Sequence, residues 1–150
     1  MDKINRILFM GCKELGLRIF KEMYCLSPEK LIGAITINDS NDTRSQLKNI
    51  KIFAQESALE LFIAHNQKET DRIIQILKPE LCLVAGWYWL INPVMLETVP
   101  YGFIGIHYSL LPKFRGGSPL VWTLINREEV AGASFFSFTP GMDEGPIWAQ

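Results

Sequence analysis

The sequence predicts a single α/β domain built on an open, mostly parallel sheet with helices on both faces. Short β-branched or apolar runs alternate with segments of helical periodicity along the chain. The first three elements read as strand, helix and strand, which implies a parallel pair with a right-handed crossover. The fully apolar run at 81–86 (LCLVAG) is typical of a strand buried on both faces.

The first half of the chain supplies the strand–helix–strand unit and a less regular segment. In the first helix, apolar residues recur at helical spacing from Leu17 to Met23, after a glycine turn. The predicted elements are a strand at 7–10, a turn at Gly11, a helix around 16–23, a strand at 31–37, a helix within 55–61 and a strand at 62–64.

The second half repeats the alternation. The predicted elements are a helix ended by Pro79, a strand at 81–86, a helix from Pro93, a strand at 103–106, a helix at 118–128 opened by Ser118 and Pro119, and a strand at 133–138. Ligands of such sheets lie at the carboxyl ends of strands, so we expect a site among the loops after Met10, Ala85, Ile106 and Phe138.

Composition excludes several classes of protein. The 150 residues are 48% hydrophobic and 21% charged, which excludes an intrinsically disordered chain. With 15 basic and 16 acidic residues the net charge is -1, so there is no general attraction to nucleic acid. The apolar stretch 81–91 is too short to cross a bilayer, and residues 1–10 lack a secretory signal and read as a first strand. We therefore expect a cytoplasmic protein without a membrane partner.

The three cysteines show no metal-binding spacing, because there is no C-x-x-C pair and no histidine at zinc distance. Cys25 and Cys82 are expected to be buried structural thiols. Cys12 follows the glycine turn and is a candidate ligand contact. No metal site is predicted.

Two turns that follow predicted strands each allow two interpretations. The segment from Gly11 to Gly16 opens a helix and would attract an anion, but it matches no nucleotide motif and also suits a plain tight turn. The loop 86–89 (GWYW) suits stacking on a flat heterocycle, or equally a hydrophobic lid over neighbouring helices.

The segment 104–122 carries the strongest chemical signal. His107 ends a predicted strand and precedes a basic, glycine-bearing loop, and histidine is suited to proton transfer near neutral pH. Downstream, PGMDEGPIW at 140–148 holds Asp143 and Glu144 in a turn. Alone, His107 is typical of a structural histidine, and Asp143 or Glu144 of a solvated loop carboxylate. Together, an acid that faces His107 could orient it or accept protons.

These residues resemble the folate-dependent formyltransferase family, which includes glycinamide ribonucleotide formyltransferase, methionyl-tRNA formyltransferase and enzymes that formylate nucleotide-linked amino sugars. The family pattern is Asn-x-His, a Ser-Leu-Leu-Pro loop with Arg-Gly, and a later Asp-x-Gly. The positions that match are His107, Ser109 to Pro112, Arg115, Gly116, Asp143 and Gly145.

The resemblance implies a Rossmann-like formyltransferase fold and formyl transfer from 10-formyltetrahydrofolate, as co-substrate, to a primary amine, with no metal. His107 and Asp143 would be catalytic. The residues that would bind the folate are Ala85, Gly86, Trp87, Tyr88, Leu90 and Gly141. Those that would bind the acceptor are Gly11, Cys12, Lys13, Ser109, Arg115 and Gly116.

One position departs from the family pattern: Gly105 stands where the family has the asparagine that donates its amide to the developing oxyanion. Losing such a donor costs on the order of a hundredfold to a thousandfold in rate. Three accounts are open: a water or backbone N–H replaces the amide, another side chain enters the site, or catalysis is impaired. We favour a compensated site.

The expected acceptor is a nucleotide-linked amino sugar, because the segments GWYWLI and RGGSPLVW look closest to that branch. The alternatives are methionyl-tRNA formyltransferase and a folate- or nucleotide-binding relative impaired by Gly105. Lys113 and Arg115 are too few to indicate RNA binding. The aromatic loop and the helix with Trp122 are a candidate homodimer interface. Since 147–150 reads as a strand cut short, we also expect a catalytic domain truncated at its C-terminal end.

Overall fold

The structure is a computed structural model that describes residues 4–150. Its strands are β1 (Ile7–Gly11), β2 (Leu31–Ile37), β3 (Leu61–Ala64), β4 (Leu81–Ala85), β5 (Phe103–His107), β6 (Ser134–Ser137) and β7 (Ile147–Ala149). Its helices are α1 (Lys13–Leu26), α2 (Leu47–Glu56), α3 (Gln67–Leu77), α4 (Pro93–Thr98) and α5 (Pro119–Ile125), with a 3-10 turn at Pro28–Lys30.

The strands form one sheet in the order β3-β2-β1-β4-β5-β6-β7, with β1 to β5 parallel. From β1 the chain first builds outward through β2 and β3, then returns to place β4 on the other side of β1. The ends of β1 and β4 therefore lie side by side, with Gly11 opposite Ala85. A reversal of this kind opens a crevice at the carboxyl edge of the sheet.

The sheet packs apolar layers on both faces, which confirms the predicted fold class. Because side chains alternate along β1, Leu8 and Met10 join one buried cluster while Phe9 joins the other. The second cluster includes Phe20 of α1, whose ring stacks on Phe9 with centroids 4.9 Å apart. The first includes Ile74 of α3, together with residues of α4.

The prediction that the loop after Phe138 leaves from the carboxyl edge of the sheet is wrong, because the loop leaves from the opposite edge. β6 is antiparallel to β5, so Ser134 lies opposite His107 and Ser137 opposite Ile104. The N–H of Phe138 then donates to the carbonyl of Phe103 at 2.8 Å, at the amino end of β5. The loop must therefore run back to reach the carboxyl edge.

Two helices differ from their predicted bounds. Instead of a helix within 55–61, α2 ends at Glu56 and buries Leu47, Ile50 and Ala54 on one face. Ala58, two residues after the end of α2, has a φ of 53°, so the helix does not continue toward residue 61. The helix α5 begins at Pro119 as predicted but ends at Ile125. Residues 1–3 of the predicted first-strand segment lie outside the described residues.

The cysteine prediction is right for Cys82, which is buried in β4, and wrong for Cys25, which is exposed near the end of α1. None of the helices in residues 4–150 has the length and apolar character needed to cross a membrane. Trp122 on α5 is half exposed, at 50%, so the homodimer interface stays a prediction.

Candidate active site

His107 ends β5 with both ring nitrogens facing acceptors. Its Nε2 lies 2.8 Å from the carbonyl oxygen of Phe114. Because a carbonyl can only accept, Nε2 carries a hydrogen. The other nitrogen, Nδ1, lies 3.5 Å from Oδ2 of Asp143. The side chains of His107 and Asp143 are 11% and 22% exposed, so the pair is shielded but reachable.

Asp143 reaches His107 from the loop between β6 and β7. Its φ is 52°, a left-handed conformation that Asp tolerates better than most residues. The N–H of Gly116 donates to Oδ2 of Asp143 at 2.8 Å. Gly116 itself has a φ of 87°, which favours glycine. The two predicted motifs, more than 25 residues apart in sequence, therefore meet at one carboxylate oxygen.

The loop after His107 is held by a buried serine that sequence reasoning missed. Ser134 is fully buried, and its Oγ donates to the carbonyl of Ser109 at 2.7 Å while accepting from the N–H of Leu111 at 3.0 Å. Its place opposite His107 depends on the β5–β6 register. The hydroxyl of Ser109, which is predicted to contact the amine substrate, donates to the carbonyl of Lys113 at 2.5 Å and so closes the loop.

Cys12 follows β1, next to the crevice between the ends of β1 and β4, and its side chain is buried. Its N–H donates to the carbonyl of Ala85 at 3.2 Å and its thiol to the carbonyl of Gly86 at 2.6 Å. Burial, reinforced by Asp39, raises the pKa of this thiol to about 12. A Cβ on Gly11 would lie 2.5 Å from the carbonyl oxygen of Ala85, so only glycine allows this approach. Cys12 is therefore a buried packing residue and an N–H donor.

Lys13 joins three loops at the same edge. Its Nζ lies 2.7 Å from Asp39 and 2.8 Å from Asp42, and 5.6 Å from the centre of the Tyr88 ring. Burial alone would lower the pKa of Lys13, but hydrogen bonding to Asp39, Asp42 and Tyr88 outweighs it and raises that pKa. Sequence reasoning missed this role of Asp39 and Asp42. The only sign of this role in the sequence is that both aspartates follow β2.

The aromatic loop after Gly86 has two packed side chains and two exposed ones. Trp87 and Trp89 pack edge to face, 5.4 Å apart, against the core. Tyr88 and Leu90 are 55% and 72% exposed, and so remain available to a ligand. The indole N–H of Trp87 is buried without a hydrogen-bond partner. An unpaired buried donor of this kind is one that a polar heterocycle would satisfy.

The remaining predicted contacts lie near Asp143. Arg115 is partly exposed, and its Nη1 is 3.4 Å from Oε1 of Glu144. Gly141 lies under the side chain of Glu144, which a Cβ at 141 would displace. Within residues 4–150, no group of three or more His, Cys, Asp or Glu side chains is placed to hold a metal ion.

The comparisons with known proteins agree on one family. The sequence model described as formyl transferase matches residues 30–150. A methionyl-tRNA formyltransferase of Thermodesulfovibrio yellowstonii is 32% identical over 149 residues, covering 96% of this chain and 48% of the relative. That of Alkaliphilus oremlandii is 31% identical, covering 95% and 47%. The chain thus spans about half the length of the curated relatives it matches.

Solved structures show the same fold. Glycinamide ribonucleotide transformylase 1 from Symbiobacterium toebii superposes with a TM-score of 0.77 at 23% identity, covering 98% of this chain and 72% of that one. A formyltetrahydrofolate deformylase from Pseudomonas syringae gives 0.77 at 17% identity, covering 97% and 49%.

Proposed function

Because the chain belongs to the formyl transferase family, we propose that its protein transfers a formyl group from 10-formyltetrahydrofolate to a primary amine. The observation that carries this proposal is the contact of His107 and Asp143, with the N–H of Gly116 on the same carboxylate. A shielded histidine–carboxylate pair at a crevice suits acyl transfer to an amine, which needs a proton acceptor and an oxyanion donor.

The residues proposed to hold the donor fit a flat, polar heterocycle. When bound, the folate supplies the formyl group and the nitrogen that leaves it. Trp87 offers an unpaired indole N–H, and Tyr88 an exposed ring on the same loop. Ala85, Gly86, Leu90 and Gly141 complete the proposed set.

His107 and Asp143 divide the proton work in this proposal. His107 turns its Nε2–H from the carbonyl of Phe114 to the acyl oxygen as negative charge develops there, while Nδ1 stays on Asp143. As the amine nitrogen bonds to the formyl carbon, Asp143 takes a proton from it, directly or through one water. The same proton would pass to the folate nitrogen as the bond between that nitrogen and the formyl carbon breaks. The two contacts of Asp143 named above both use Oδ2, so Oδ1 is the oxygen assigned to this step. Gly116 keeps the carboxylate oriented throughout.

The acceptor expected from the sequence, a nucleotide-linked amino sugar, has weaker support than its alternative. The curated relatives named above are methionyl-tRNA formyltransferases. We therefore propose methionyl-tRNA as the acceptor. Lys113 and Arg115 already lie beside Glu128 and Glu144, so they add little to tRNA binding. The turn at Lys13, whose charge is matched by two carboxylates, gives no separate support for a phosphate of a nucleotide sugar.

A protein that binds folate without turnover is the second candidate. The observation that favours it is the ring of Phe138, which fills the space beside Gly105. The test is an acceptor panel. The full-length protein is incubated with 10-formyltetrahydrofolate and, separately, methionyl-tRNA, glycinamide ribonucleotide and a nucleotide-linked amino sugar.

We expect formyl-methionyl-tRNA to form fastest, and the H107A variant to lose most of that rate. Faster formylation of the amino sugar would reverse the choice of acceptor. Folate binding without transfer to any of the three amines would instead support the binding protein.

A further inference from the structure

Gly105 and His107 lie on the same face of β5, because side chains two residues apart in a strand point the same way. On the neighbouring strand, Phe136 lies directly opposite Gly105. Phe138 follows two residues later and so approaches from the same face. Any side chain at position 105 would therefore stand between His107 and these two rings.

The Phe138 ring fills the place that such a side chain would take. A Cβ built on Gly105 falls on this ring, 2.7 Å from Cζ, and lies 3.2 Å from the carbonyl oxygen of Val84. The glycine φ is not in the left-handed region, so space alone, and not backbone conformation, selects glycine here.

The ring is held where it is. Its centroid lies 5.1 Å from that of Phe136, and it packs against the core cluster that contains Val84. The N–H of Phe138 is also fixed by its bond to Phe103. The edge of Phe136 in turn faces His107, with ring centroids 6.4 Å apart. The wall beside His107 is thus formed by two aromatic rings.

We propose that Phe138 takes the space of a side chain at position 105, so that the site stabilises the oxyanion without a side-chain amide beside His107. This inference rests on the proposed function. The ring offers only C–H groups to a developing negative charge, whereas an amide at 105 would offer an N–H. Residues 105 and 138 form one size-matched pair, and a donor can be added only when both change.

The test is a double-mutant cycle with the single variants G105N and F138V and the double variant G105N/F138V. Overpacking against a held ring destabilises a folded protein. In the wild-type background, we therefore expect G105N to lower Tm by about 2 to 12 °C and to give no gain in rate. In the F138V background, the same change is expected to lower Tm by less than half as much.

Formyl transfer is the second readout. The double variant should exceed F138V in kcat by about a hundredfold to a thousandfold, the range expected of one oxyanion donor, with little change in the KM for the folate. The matched control is G105N/F135V, because Phe135 alternates to the other face of β6. Relative to F135V, it should lose as much Tm as G105N loses relative to wild type, and it should gain no rate.

The two readouts separate this inference from the proposed function. Equal Tm losses from G105N in both backgrounds would overturn the size-matched pair, whatever the activity. A folded double variant that binds folate but is no faster than F138V would overturn the missing donor. If none of the proteins, wild type included, binds folate, the proposed function fails, while the Tm cycle still decides whether the residues are paired.

Discussion

At the scale of single residues, the hydrogen bonds of His107 limit what its ring can do. Because Nε2 is bound to the carbonyl of Phe114, a neutral ring presents a lone pair at Nδ1 to Asp143. The Nδ1 atom and Oδ2 of Asp143 lie 3.5 Å apart. The ring of His107 is therefore oriented from both sides, by Phe114 and by Asp143.

The cysteines give a test at this scale. At pH 8, a pKa of about 12 leaves about one Cys12 in ten thousand as thiolate. Burial also raises the pKa of Cys82. We expect a thiol reagent to modify the exposed Cys25 quickly and the other two only after unfolding, as counted by mass spectrometry. C25S should abolish the fast phase, and its persistence in C25S would show that a buried thiol is accessible.

At the scale of elements, Lys13 connects the loops that follow β1, β2 and β4. We expect K13M to lower Tm by roughly 3 to 6 °C, because it leaves the buried Asp39 without its cation. R18M is the matched control, since Arg18 and Glu14 form an exposed pair on α1 that contributes little. A loss in K13M no larger than in R18M would contradict a stabilising role.

The same network predicts a pH dependence. Hydrogen bonding to Arg44, and next to Lys13, holds the pKa of Asp42 well below its usual range. Its contribution to stability is therefore complete above pH of about 4 and is lost as the pH falls through the lowered value. The raised pKa of Lys13 leaves its contribution intact up to alkaline pH. The Tm difference between wild type and K13M should stay constant from pH 5 to 9 and shrink in acid.

The elements also show what periodicity captures. The strands β2 and β4 were predictable because β-branched or apolar runs bounded by turns have few alternatives. The helix α2 was misplaced, although Leu47, Ile50 and Ala54 carry a helical spacing, because polar residues surround them and no side chain caps the start. The reversed direction of β6 has no local signal, since strand direction depends on which neighbour it pairs with.

At the scale of the whole molecule, the motifs identified the pair His107 and Asp143 because each motif ends near the same sheet edge. The contacts of Ser134 and Phe138 could not be predicted, because both depend on the register of β6 against β5. The ion pairs of Lys13 depend likewise on the order of the strands. Pairings between distant residues of this kind require the assembled sheet.

The central claim is that the His107–Asp143 pair carries formyl transfer, and single-turnover rates test it most directly. Full-length wild type, H107A and D143N are preloaded with 10-formyltetrahydrofolate and mixed with methionyl-tRNA. H65A and E22Q serve as controls for the loss of an imidazole and of a carboxylate, because His65 and Glu22 are exposed residues outside the proposed site.

The account predicts rates reduced about a hundredfold to a thousandfold in H107A and D143N, with folate binding unchanged within a few fold and both controls near wild type. Wild-type rates in both H107A and D143N would contradict it.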